Sequence, residues 1–197
     1  MAKAKGPFRR VLKDYTPTDG KRGPFRYVWE SMHPASIGAR AVKHAVADIG
    51  YREEPPGSNK TKYGKHWNQD DVPYCGMAVA RWWQQAGFKI PRELALKIDY
   101  IPELVSLATQ KKHRLSLIHK NRVRKGDAVA YDFPTADGVA DHVGIFEEWV
   151  DKKRGIFRAI EANTSPGTGG QQANGDGVFR RTRDVGNVIA FVRKLPG

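Results

Sequence analysis

The chain has 197 residues, enough to bury a substantial core in one ordinary domain with a short appendage. Hydrophobic residues make up 40% and charged residues 28%, which excludes collagen-like, coiled-coil and wholly disordered chains. The longest apolar stretches, such as Val188 to Val192, fall far short of the roughly 18 residues of a membrane span, so no span is expected. A net charge of +13 is concentrated in two places: residues 1–44 hold ten Lys/Arg against three acids, and residues 111–125 add seven with no acid. Such patches suit a polyanionic partner: nucleic acid, anionic lipid or an acidic cell-wall polymer.

Residues 1–34 are rich in Lys, Arg, Gly and Pro, with scattered aromatics and no sustained period; they read as a basic arm or appendage. Lys13 and Asp14 interrupt the one short apolar stretch that follows its first basic residues, so no signal peptide is expected. From Ser36, a suitable N-cap, Ile37, Ala41, Val42, Ala45, Val46 and Ile49 recur at helical spacing up to Gly50, and open the main domain, 35–197. Tyr51 to Tyr74 reads as a loop. Cys75 to Gln85 reads as a helix with Gly87 as its stop, which places Cys75 in the first turn and at least one of Trp82 and Trp83 in the core. A further helix is expected over Pro102 to Thr109. Beyond the basic run the pattern turns to strands: 128–131, 142–146, 156–160, 178–179 and 188–192, with a hairpin signal at Asp137-Gly138 and a polar loop over 163–177. Helices followed by an antiparallel sheet predict an α+β fold.

The single cysteine excludes an intramolecular disulfide and multi-cysteine zinc sites, leaving a buried inert thiol or a nucleophile. A cysteine at a helix N-terminus faces the positive end of the helix dipole, which favours the thiolate. His142, at the start of a strand, can pair with it. Glu161 and Asn163, at the end of the next strand and on one face by a period of two, can orient the imidazole. Helix cysteine, strand histidine and neighbouring acid or amide is the order of a papain-like site. Each residue alone also has a bland reading: a small core hydrophobe, a surface histidine, a solvated acid. His33, His44, His113 and His119 read as surface or packing residues, and His66 lies where it could line a groove.

The blocks Gly57-Ser58-Asn59, Tyr63-Gly64, Trp67-Asn68 and Pro73-Tyr74-Cys75-Gly76-Met77-Ala78-Val79, then Gly126-Asp127-Ala128-Val129, Asp141-His142-Val143-Gly144-Ile145, Ile160-Glu161-Ala162-Asn163-Thr164 and Gly177 to Arg183, resemble CHAP domains, the cysteine, histidine-dependent amidohydrolases/peptidases. The likeness runs over residues 37–194 and is greatest to endolysins of phages that infect actinobacteria. It implies a papain-like fold, Cys75 as nucleophile, His142 as base and acid, Glu161 and Asn163 as orienting residues, and peptidoglycan as substrate. Tyr63, Trp67, Asn68 and Tyr74 are then expected to bind substrate. No cofactor and no metal are expected. Pro134 and Ala136 break the turn at 132–138 as a calcium loop. The expected partners are peptidoglycan and anionic wall polymers, with no nucleic acid, and the protein is expected to act as a monomer made in the host cytoplasm and released to the wall. Two rivals stand beside this reading. A zinc amidase is disfavoured because no two of the six histidines sit at helical ligand spacing. A basic, non-catalytic protein that binds nucleic acid or belongs to a virion would also use the high charge.

Overall fold

The computed structural model describes residues 36–133, 137–167 and 172–196; the expected basic arm lies outside them. The chain is α+β. Among the described residues, five helices, α1 (Ile37–Ala47), α2 (Lys62–Trp67), α3 (Cys75–Ala86), α4 (Arg92–Asp99) and α5 (Ile101–Thr109), precede or flank strands β1 (Leu115–Ile118), β2 (Ala128–Tyr131), β3 (His142–Asp151), β4 (Ile156–Thr164), β5 (Gly177–Asp184) and β6 (Val188–Lys194). The strands form one antiparallel sheet in the order β1-β6-β2-β3-β4-β5. No helix of the described residues is long and apolar enough to cross a membrane.

Local signals explain the strongest elements. Ser36 caps α1 by accepting the Ala39 N–H at 3.2 Å, and α3 ends where Gly87 takes a left-handed conformation, φ 104°. Both Trp82 and Trp83 are fully buried. Although they point about 100° apart on the helix, α3 is covered on several sides, packing against α1, α2, α4, β3 and β4. Their indole N–H groups find partners, Trp82 on Asp48 at 2.8 Å and Trp83 on the Gly126 carbonyl at 2.9 Å.

The structure adds three elements to the expected set. Helix α2 falls inside the stretch read as a loop; at six residues it is too short to show a period, and it is held by its caps, Thr61 accepting the Gly64 N–H and Asn68 closing in the left-handed region. Helix α4 and the four-residue strand β1 were equally hidden, β1 inside the basic run. The connection between β2 and β3 occupies 132–141 rather than a tight two-residue turn, with Asp132 accepting the Gly138 N–H at 2.7 Å.

The sheet separates two apolar layers. Between helices and sheet lie Trp82, Trp83, Val143, Ile145, Ile160 and Val192 with their neighbours. On the opposite face Tyr131, Phe133, Phe146, Phe157 and Phe191 stack on one another. Each large apolar side chain taken wholly out of water contributes about 1.5–3 kcal/mol before ordering costs.

Candidate active site

Cys75 is the first residue of α3 and is buried. Tyr74, the preceding residue, is itself fully buried and stacks on Tyr63 at 5.8 Å between ring centroids. Tyr63 in turn donates its hydroxyl to Asp48 at 2.6 Å. Asp48 also receives Trp82 and Lys62, and although burial raises its pKa, these hydrogen bonds together bring it below the ordinary carboxylate value. An aromatic and carboxylate scaffold therefore fixes the segment leading into the cysteine helix.

His142 opens β3 opposite Tyr131 of β2 and is fully buried. Its ring lies nearly parallel to the Tyr131 ring at 6.0 Å. Its Nε2 is 3.3 Å from Glu161 Oε2, and its buried Nδ1 has no hydrogen-bond partner among the described residues. Burial alone would lower the pKa of the ring; the neighbouring Cys75 and Glu161 outweigh it and raise the value to about 9. The histidine is thus held as the imidazolium across neutral pH.

Glu161 has no exposed surface, yet burial does not neutralise it, because His142 on one side and Arg183 on the other hold its pKa well below the ordinary carboxylate range. Arg183 grips both oxygens, Nε to Oε1 at 3.0 Å and Nη2 to Oε2 at 2.6 Å, while its guanidinium lies over the Phe133 ring at 4.7 Å. His142, Glu161 and Arg183 thus follow one another as cation, anion and cation.

Gly144 allows this approach. A β-carbon there would stand 2.5 Å from Glu161 Cγ and 3.0 Å from the Ile160 carbonyl.

Asn163 behaves differently from the strand alternation expected of it. It sits in the left-handed region, φ 59°, where the β4–β5 register shifts between Glu161 and Thr164. Its amide donates to the Ala173 carbonyl at 3.3 Å and its main-chain oxygen accepts the Gly175 N–H at 2.9 Å. It is buried, and it is Glu161, not Asn163, that stands at ion-pair distance from the ring. The bulge breaks the period of two that would have put both on one face.

Of the four residues expected to bind substrate, Tyr63, Trp67 and Tyr74 are buried; Trp67 donates to the Met77 carbonyl at 3.0 Å. Asn68 is exposed at the end of α2, where its carbonyl accepts from Arg92 at 3.1 Å. His66 is exposed and bonded to Gln84 at 2.8 Å. No group of three or more metal-type ligands occurs among the described residues.

Arg183 carries a role that the sequence reading missed, as does Arg181, which is buried and bonds the Ser165 and Gly167 carbonyls and Gln172. Both lie two residues apart on β5. The available signal was the alternation Arg181-Thr182-Arg183 after a strand pattern that runs into Glu161.

No protein-family profile and no curated protein matches this chain. Among solved structures it is similar to a lipoprotein-like protein of the NLP/P60 family from Staphylococcus aureus, with a TM-score of 0.44 and 13% identity over 96% of this chain. The chain corresponds to 48% of that protein's length.

Proposed function

We propose that this chain is a peptidoglycan hydrolase of endolysin type that cuts an amide of the bacterial wall through Cys75. The observation that carries the reading is the series of buried Cys75, His142 and Glu161 backed by the half-buried Arg183, in which a lone cysteine at a helix N-terminus lies beside an imidazolium oriented by an ionised acid. The resemblance to CHAP domains supplies the substrate class. In the reaction the Cys75 sulfur attacks the amide carbon, forming the C–S bond while charge collects on the carbonyl oxygen near the Cys75 main-chain N–H. His142 gives its proton to the nitrogen as the C–N bond breaks. The ring then takes a proton from water, whose oxygen replaces sulfur and releases the acid. Glu161 holds the ring's orientation. Asn163 acts beside it by fixing the end of β4, Asn68 contributes the surface part of the substrate groove, and Tyr63, Trp67 and Tyr74 support it from behind. The excess of basic residues draws the protein to anionic wall polymers. Synthesis in the host cytoplasm, release to the wall and action as a monomer complete the reading.

Mass spectrometry of purified walls digested by the protein tests this: fragments with new amino and carboxyl ends at one type of amide are expected, and intact walls would overturn it. A second reading, a non-catalytic polyanion binder, is favoured by the exposed Lys120, Arg122 and Arg124. Salt-dependent DNA binding with no wall cleavage would replace the first by the second.

A further inference from the structure

Helix α3 lacks the usual means of capping its start. Tyr74 at the N-cap offers no side-chain hydrogen bond, and the first turn holds no acid. The acceptor comes from another helix: Asp99, the last residue of α4, takes the Met77 N–H on Oδ1 at 3.1 Å. Met77 is the third residue of α3, the position an N-cap side chain would serve. The two helices meet here because residue 76 is glycine; a β-carbon on Gly76 would lie 2.5 Å from Asp99 Cα and 2.5 Å from the Ile98 carbonyl oxygen. Asp99 thus sits against the residue that follows Cys75.

We propose that Asp99 is a positioning residue for the thiol: it caps the cysteine helix from outside and sets a titratable carboxyl at the helix's positive end, where its ionisation competes with the Cys75 thiolate. A helix terminus stabilises one anion most strongly, and a second within the same turn weakens both. Asp99 is placed to act in the neutral range, since burial raises its pKa to about 7 against the smaller opposing effect of the Met77 N–H. The charged groups of the elements around it are Lys62, Lys65 and His66 of α2, Arg81 of α3, Arg92, Glu93 and Lys97 of α4 and Glu103 of α5, and the shift follows from burial, opposed by the Met77 N–H. On the thiol side the facing groups are His142 and, behind it, Glu161.

The coupling itself is independent of what the enzyme cuts; only its consequence for catalysis rests on the proposed function. Two titrations of the full chain test it. Thiolate absorbance at 240 nm, assignable because the chain has one cysteine, is followed in the wild type and in Asp99→Asn, with Cys75→Ala as the blank. The Asp99 carboxyl is followed by carbon NMR in the wild type and in Cys75→Ala. Interaction between two sites is reciprocal and appears on whichever titrates second. One midpoint should therefore fall by about one pH unit, the thiol's in Asp99→Asn or the carboxyl's in Cys75→Ala. If both midpoints stay in place, the tuning role is overturned, whatever Cys75→Ala does to wall hydrolysis. Asp99→Ala, which deletes the acceptor, should also melt several degrees below Asp99→Asn; equal melting temperatures would overturn the capping role.

Discussion

Glu161 stays ionised without any exposed surface because two cations meet it, the Arg183 guanidinium with two hydrogen bonds and the His142 ring at 3.3 Å. Removing its charge should therefore be costly twice. Glu161→Gln keeps the shape but leaves Arg183 without a counter-charge, and breaking one side of a buried ion pair costs about 3–5 kcal/mol. It also removes part of what lifts His142 to about 9 from the ordinary 6.5. In a rate profile the alkaline limb should lie near 9 in the wild type and move toward 6.5 in the variant; a folded variant with an unmoved limb would separate Glu161 from the ring's protonation. The same shifts fix the pH dependence of stability. A raised histidine stabilises the fold fully below 6.5 and loses that contribution as pH climbs toward 9; a depressed glutamate contributes above 4.5 and loses it only in strong acid. Both contributions are complete between 4.5 and 6.5, but Asp99, raised to about 7, loses stability as pH climbs from its ordinary 3.8 toward 7, so melting temperature measured by calorimetry should be highest at the acid end of that window and decline toward alkaline pH.

Helix α3 joins fold and site, since it presents Cys75 at its first position and buries both tryptophans behind it. Its seating depends on Gly76. Gly76→Ala would press a methyl group into the backbone of Ile98 and Asp99, which cannot yield like a flexible side chain. We expect a loss of about 1–3 kcal/mol, and a greater loss of activity than of fold, measured by denaturant unfolding beside wall hydrolysis; an active, fully stable variant would contradict the close approach. This helix was legible in the sequence because twelve residues show their period and Gly87 marks their end. The neighbours that position it were not. Helix α2 has six residues, and α4 has four charged residues among its eight and buries only Leu94, Ala95 and Ile98. Strand β5 was legible only over Val178 and Phe179, since Arg180-Arg181-Thr182-Arg183-Asp184 reads as a solvated stretch. Its inward arginines are bound by Glu161, Gln172 and loop carbonyls, and periodicity of apolar residues cannot reveal a strand that buries charge. Cys75, His142 and Glu161 could be placed by element and order, while Arg183 and the displaced backbone of Asn163 show only in the folded chain.

At the scale of the molecule, one antiparallel sheet carries helices on one face and an aromatic layer on the other. The site draws on both: Cys75 comes from the helical layer, and His142 packs beside Tyr131 and Phe133 of the aromatic layer. Neither layer alone could assemble it, so the arrangement depends on how the two layers pack against the sheet. On the proposed function, this junction makes Cys75 a nucleophile rather than a buried, inert thiol. Its most direct test is hydrolysis of purified bacterial walls by the wild type and by Cys75→Ala, with circular dichroism and melting temperature as controls for folding. Wall solubilisation by the wild type is expected, with a folded variant whose activity is lost by at least about a thousandfold, as when covalent catalysis is removed. A folded Cys75→Ala variant that solubilises walls at the wild-type rate would contradict it.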